Sequence, residues 1–445
     1  MKKYVCMLAA CLMLLSLAAC KGGDKPAPTE APESTAATEA TASPEAHIPD
    51  HSYNRDTDFN KMLATNGNET SLLESEDVYY WKPCIGNLMY AEKDGSDHGP
   101  LCGRPECTHE DSSCDAYVAA YRYMALTGGK LYYFNVDLWK QYPDACGVIC
   151  RMDLDGTNKE IVKPVPKPET LYGDGGTPQY VCFHRGILYL FYHANFISDA
   201  EPMQPFMVYA FPLDGDEIKL IYDSGKDYHD GSIFPSGEFC YIQDYVWNEA
   251  GEYKDKILRW SPITGETELL YEGSDFQWIA RYWVDDEGTV YTNDIWTSEN
   301  GAKNVMRLDN GVWEKAFDFE DPDISYSIRN LSDGIVIARN HIIYSGPLDP
   351  DIDIWIKRYD GSTVYKGKLP MGWLDEFTAQ GMTLENASLV CGNENELFCE
   401  FELRKRNKDR VNEPQSFVLI KYELHDGEIT EIPLGDVYHE IKQNW

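Results

Sequence analysis

Gly129-Lys130-Leu131-Tyr132-Tyr133, followed further along by Arg151-Met152-Asp153-Leu154-Asp155-Gly156-Thr157-Asn158, is the stretch that decides the fold. The first half is a glycine leading into a run of β-favouring Leu and Tyr. The second half is a strand that carries a basic residue and stops at Asp-Gly. Asp-Gly supplies the positive φ that a tight hairpin turn needs, so two antiparallel strands are expected to meet there.

Both halves recur along the chain. The glycine-led strand returns at Gly186-Ile187-Leu188-Tyr189, Gly237-Glu238-Phe239-Cys240-Tyr241, Gly288-Thr289-Val290-Tyr291 and Gly334-Ile335-Val336-Ile337, with a degenerate copy at Asn395-Glu396-Leu397-Phe398. Successive glycines at 129, 186, 237, 288 and 334 stand 46 to 57 residues apart. The turn unit returns at Leu213-Asp214-Gly215, Arg259 to Gly265, Arg307-Leu308-Asp309-Asn310-Gly311, Arg358-Tyr359-Asp360-Gly361 and Lys421 to Gly427. Most copies lead into a further short apolar strand such as Leu269-Leu270-Tyr271. Residues 70–103 read as a shortened copy, with Val78-Tyr79-Tyr80-Trp81, Gly86-Asn87-Leu88-Met89-Tyr90 and the turn Asp94-Gly95.

A period of this length with about four short strands predicts an all-β chain, a β-propeller over residues 52–445. The copies number seven, and six or eight blades would also satisfy the spacing. Two β-sandwiches are disfavoured, because one period runs through without a linker. The 30 tyrosines and 11 tryptophans suit half-buried pleated strands better than helices.

The glycine, Leu-Tyr-Tyr and Arg-x-Asp-Leu-Asp-Gly-Thr-Asn pattern resembles the TolB-like and low-density-lipoprotein-receptor-like propellers of Gram-positive bacterial lipoproteins. The likeness covers nearly all of 70–435 and is strongest from Gly129 to Ile161. It implies a propeller, and it leaves the ligand open, since propellers serve binding, scaffolding and catalysis alike.

The N-terminus carries a second message. Lys2 and Lys3 precede an apolar run from Tyr4 to Ala19 that ends at Cys20, the layout of a secretory signal too short to span a membrane comfortably. Leu17-Ala18-Ala19-Cys20 resembles a lipobox, which implies cleavage after residue 19 and a diacylglycerol on the Cys20 thiol. Residues 20–51 are rich in Pro, Thr, Ala and Glu and hold too little apolar surface to offset their ordering entropy. They are expected to be a disordered tether, stiffened by prolines 26, 28, 32 and 44. The expected location is the extracytoplasmic face of the cell membrane, held by lipid. With 74 acidic against 39 basic residues and a net charge of −35, the chain is unsuited to nucleic acid.

One loop concentrates reactive side chains. Cys102, Cys107, His109 and Cys114 follow the spacing C-x4-C-x-H-x4-C. Three thiols and one imidazole on a short loop are a ligand set for structural zinc, with no position left open for catalysis. The alternative is a disulfide knot in which Cys84 takes the odd thiol, a chemistry open to an exported chain. The cluster resembles a recurrent Cys-His insertion of the same propeller lipoproteins. Cys146 and Cys150 could pair across a bend, whereas Cys182, Cys240 and Cys399 fall in strand patterns and read as buried apolar groups or bridges between blades.

Other motifs point to structure. Asp153 to Asn158 lacks the closing glutamate of a calcium loop and reads as a hairpin turn. Asp349-Pro350-Asp351-Ile352-Asp353 reads as a solvated loop. The histidines form no HExxH, and neither a nucleophile elbow nor a Walker loop is present. The expectation is therefore a non-catalytic binding or interaction scaffold whose ligand is an extracellular molecule or an envelope protein. Trp260, Trp278, Trp283, Trp296, Trp313 and Trp355 would contribute if they face outward, and would otherwise pack between blades. The alternative is a propeller hydrolase that uses carboxylates at the channel mouth on a glycan or similar substrate.

Overall fold

The computed structural model describes residues 47–65, 69–70, 72–83, 86–118, 123–169, 177–192, 205–225, 229–247, 253–274, 282–293, 304–318, 327–338, 348–405 and 414–439. Cys20 and most of the expected tether, Cys84, Trp278, Trp296 and His341 lie outside the described residues.

Seven four-stranded antiparallel sheets follow one another along the chain, over 72–100, 124–166, 180–223, 229–273, 282–318, 327–368 and 383–439. We number them blades 1 to 7. In every blade the four strands are consecutive in sequence and hydrogen-bond in chain order. The all-β propeller expected from the repeat is thus present with seven blades, and blade 1 is the short copy. One short α-helix, Leu374–Ala379, lies between blades 6 and 7 among the described residues.

The repeat now has a physical reading. In each blade the repeated Asp-Gly, Asn-Gly or Thr-Gly turn joins the third strand to the fourth, and Gly95, Gly156, Gly265, Gly311, Gly361 and Gly427 hold the positive φ such turns demand, whereas Gly215 of blade 3 does not. In three copies the aspartate also closes the turn on a hydroxyl residue two positions later: the backbone N–H groups of Ser96, Thr157 and Ser362 donate to Asp94, Asp155 and Asp360 at 2.8–2.9 Å. The basic residue ahead of the turn pairs across the hairpin. Arg151 faces Glu160 at 2.6 Å, Arg259 faces Glu268 at 2.7 Å and Arg307 faces Glu314 at 3.1 Å, each directly opposite in register. These pairs are exposed, so each contributes at most about 1 kcal/mol.

Apolar side chains pack between blades and carry the core around a full circle. Blades 1 and 2 share Tyr80, Leu131 and Met152, and blades 2 and 3 share Phe134, Val181 and Leu190. Blades 3 and 4 share Tyr189, Phe206 and Trp260. One cluster spans blades 4, 5 and 6 through Tyr241, Trp283, Trp313 and Trp355, and another joins 6 to 7. The last returns from blade 7 to blade 1 through Phe398, Phe417 and Leu419 against Leu72, Tyr79 and Trp81. Trp81 also donates its indole N–H to buried Glu400 of blade 7 at 2.7 Å. Truncating such a side chain costs about 3–5 kcal/mol.

Trp260, Trp283, Trp313 and Trp355 are all buried in these seams, so they pack between blades and do not face a ligand. Because strands alternate in direction, the first-to-second and third-to-fourth turns of a blade share one end of its sheet. Residues 49–65 cross that end as an N-terminal strap before blade 1 begins.

Candidate metal centre

Residues 101–118 connect blade 1 to blade 2 and carry the Cys-His cluster. The loop is seated from both sides. Leu88, entering the third strand of blade 1, donates its N–H to the carbonyl of Ala116 at 2.8 Å, and the Leu101 N–H donates to the Leu88 carbonyl at 2.8 Å. Asn87 Nδ2 donates to the His109 carbonyl at 2.8 Å. On the blade 2 side, Lys159 Nζ donates to the Tyr117 carbonyl at 2.6 Å. A side chain at Gly103 would collide with Thr157, and one at Gly156 would meet the carbonyl of Leu101 at 2.5 Å. Only glycines allow the loop and the Asp155-Gly156 turn to lie so close.

Within the loop, short turns fold the ligands inward. The Cys107 N–H donates to the Arg104 carbonyl and the Cys114 N–H to the Asp111 carbonyl, both at 3.1 Å. His109 adopts φ 59°, the left-handed region that few non-glycine residues enter. The result gathers Cys102 Sγ, Cys107 Sγ, His109 nitrogen and Cys114 Sγ all within 4.8 Å of one another. His109 Nδ1 and Cys114 Sγ are 3.2 Å apart. Zinc–sulfur bonds of about 2.3 Å and zinc–nitrogen bonds of about 2.0 Å place tetrahedral ligand atoms some 3.5–3.8 Å apart, so this spread needs only a small contraction. The cluster could hold a metal ion such as zinc, with Cys102, Cys107, His109 and Cys114 as the four ligands.

The three thiols are free, as are all nine described cysteines. Burial would push the Cys102 thiol up, but N–H groups of Arg104 and Asp115 and the thiols of Cys114 and Cys107 stabilise its thiolate and hold it near 7. Burial, reinforced by the neighbouring thiols, pushes Cys114 up to about 11. One thiol is thus ready to bind a cation at neutral pH, while Cys114 gives up its proton on binding.

Arg104 escaped the sequence reading although it lies inside the motif. Its Nη2 donates to Cys107 Sγ at 3.5 Å and to the Ser113 carbonyl, and its Nε stands 3.2 Å from Asp115. A guanidinium held there would offset the negative charge that the thiols take on when they bind a cation.

The remaining candidates take structural roles. Asp155 accepts from the N–H and hydroxyl of Thr157, and Asp153 accepts from Lys130 and Asn158, so these carboxylates hold the hairpin turn. Asp349 accepts from the Asp351 N–H at 3.0 Å and Asp351 pairs with Lys368, as in a solvated loop. Cys146 and Cys150 lie on one strand, Ala145–Asp153, and bury into different seams on either side of blade 2, which rules out their pairing. Cys182 and Cys240 are buried thiols in the seam of blades 3 and 4. A cleft of about 370 Å³ beside the strap is lined by Arg55, Asp56, Glu74, Glu76 and the Gly128-Gly129 turn, and among the described residues no aromatic ring lines it.

No protein-family model and no curated protein matches the sequence. Among solved structures, the chain is similar to a prolyl endopeptidase at 12% identity and TM-score 0.47, over 87% of this chain and 51% of that one. It thus spans about half the length of that enzyme. TolB from Acinetobacter baumannii is similar at 15% identity and TM-score 0.33, over 66% of this chain and 60% of that one. An ulvan lyase is similar at 11% identity and TM-score 0.40, over 88% and 98% respectively. The fold assignment rests on the seven sheets and their strand order, independently of these likenesses.

Proposed function

We propose that the protein is a lipoprotein of the Gram-positive type, anchored through Cys20 on the extracytoplasmic face of the membrane, whose propeller is a non-catalytic binding scaffold. The observation that carries the scaffold reading is the asymmetry of the ring. One end is covered by the chain's own strap, whereas the second-to-third strand connections and the links between blades leave from the other, as in sites built from convergent loops. The ligand would be an extracellular glycan, a peptide or an envelope protein. Screening the ectodomain on glycan and peptide arrays, with pull-down from membrane extracts, tests this. Saturable binding to one class supports the scaffold, and hydrolysis of an arrayed substrate would overturn it.

In the same reading the Cys-His loop holds structural zinc. What supports this is a complete set of four protein ligands, which leaves the metal no open position, together with seating of the loop against two blades. Arg104→Ala is expected to weaken zinc binding by about tenfold, as loss of an outer-shell partner commonly does. Competition with a chromophoric chelator measures the change. Unchanged affinity would remove Arg104 from the site.

A further inference from the structure

A ring of blades must be closed where its two ends meet. Among the described residues no blade combines strands from both ends of the chain, since all seven are built from consecutive strands. Among the described residues the seam of blades 7 and 1 is packed by side chains, and blade 1 brings to it strands of only three or four residues.

The strap reaches that seam from far across the ring. Its start is fixed on blade 4: the Asp50 N–H donates to Glu238 at 2.9 Å, and the Glu238 N–H donates to the Asp50 carbonyl at 2.7 Å. His51 packs on Phe239 with ring centroids 5.4 Å apart. Its middle is fixed on blade 3. Arg185 grips Asp58 with Nε and Nη2 at 2.8 and 3.0 Å, and reaches Asp50 at 2.8 Å and the Ser52 carbonyl at 2.6 Å. Next to it, the Phe59 N–H donates to His184 Nδ1 at 2.8 Å, and His184 Nε2 bonds the Gly237 carbonyl at 2.6 Å. Lys61 ties the strap to blade 5 through the Val284 carbonyl at 3.0 Å and Asp286 at 2.6 Å. The far end then enters the seam: Leu63, fully buried, packs among Leu72, Tyr79 and Trp81 of blade 1 and Phe398 and Leu419 of blade 7. Asn393 of blade 7 bonds Met62 at 3.0 Å.

We infer that residues 50–63 are a clasp that closes the ring, tying the seam of blades 7 and 1 to blades 3, 4 and 5 in place of a shared blade. The strap is anchored at both of its ends and in its middle, and the anchors Asp58, Phe59 and Leu63 are buried although residues 52–57 are exposed. Asp58 is almost wholly enclosed, and Phe59 is buried beside Phe234 in an edge-to-face pair.

The test reads the seam while disturbing the strap elsewhere. Hydrogen exchange of the full chain is followed in two variants, Arg185→Gln on blade 3 and Leu63→Ala within the seam. A clasp makes both accelerate exchange in residues 72–81 and 397–401, by about tenfold or more, because slackening the strap at Arg185 frees the seam. If the strap merely covers what it touches, Arg185→Gln speeds exchange only at 184–185 and 236–239, and the inference fails. Where Leu63→Ala does not fold, Arg185→Gln alone decides, since its side chain lies outside the seam cluster.

Discussion

Stripping the protein with a tight chelator, or replacing Cys114 with serine, is expected to lower its thermal midpoint by about 5 °C. At free zinc a thousandfold above the dissociation constant, a metal bound only by the folded state contributes about 4 kcal/mol. For a domain approaching 400 residues, an unfolding entropy of roughly 2 cal/mol/K per residue converts that into the stated shift. The loss should be local before it is global. Blade 1 and the Asp155-Gly156 turn of blade 2 are what the loop joins, so they should open first. Differential scanning calorimetry with and without chelator, with zinc added back, measures this. Cys114→Ser should be insensitive to chelator. An unchanged midpoint on chelation would mean that the loop is held by something other than a metal.

Acid should weaken the clasp through His184. Its imidazole is buried, accepting from the Phe59 N–H at Nδ1 and donating from Nε2 to the Gly237 carbonyl, so it is held neutral. Burial lowers it from 6.5 to about 4, with Asp58 acting in the opposite sense and Arg185 and Lys61 adding to the lowering. The sign follows directly. Below pH 6.5 the unfolded chain takes up a proton that the folded chain refuses, so stability falls as pH drops from 6.5 towards 4. The size is about 3 kcal/mol across that window. His184→Gln keeps one acceptor and one donor and removes the titration. The difference between the two urea-unfolding profiles, taken at several pH values, should show this slope in the natural protein alone. Parallel profiles would show that His184 does not report on the strap.

The elements most legible in the sequence were those written as local chemistry and then repeated. Asp-Gly followed by Ser or Thr marks the hairpins at 94–96, 155–157 and 360–362, although Asp230-Gly231-Ser232 lies within a strand, and a copy every fifty residues or so announces a ring. The Cys-His cluster was legible for the same reason, being confined to thirteen residues from Cys102 to Cys114. What stayed hidden depends on separation. Asp58 and Arg185 are 127 residues apart, and Asp50 and Glu238 are 188 apart, so no spacing in the strap betrays its partners. Arg104 was overlooked because an arginine in an acidic chain looks like ordinary surface. Cys146 and Cys150 suggested a pair because four residues separate them, yet register shifts in the pairing of their strand accompany their facing opposite seams. That tryptophans pack between blades was legible in the sequence, while the seam each one enters depends on the fold.

The most direct test of the proposed metal centre is X-ray absorption at the zinc edge on ectodomain purified without chelators. The account predicts one zinc per chain, with three sulfur neighbours at about 2.3 Å and one nitrogen at about 2.0 Å, and no oxygen from water. Protein free of metal whose Cys102, Cys107 and Cys114 are recovered as disulfides would contradict it.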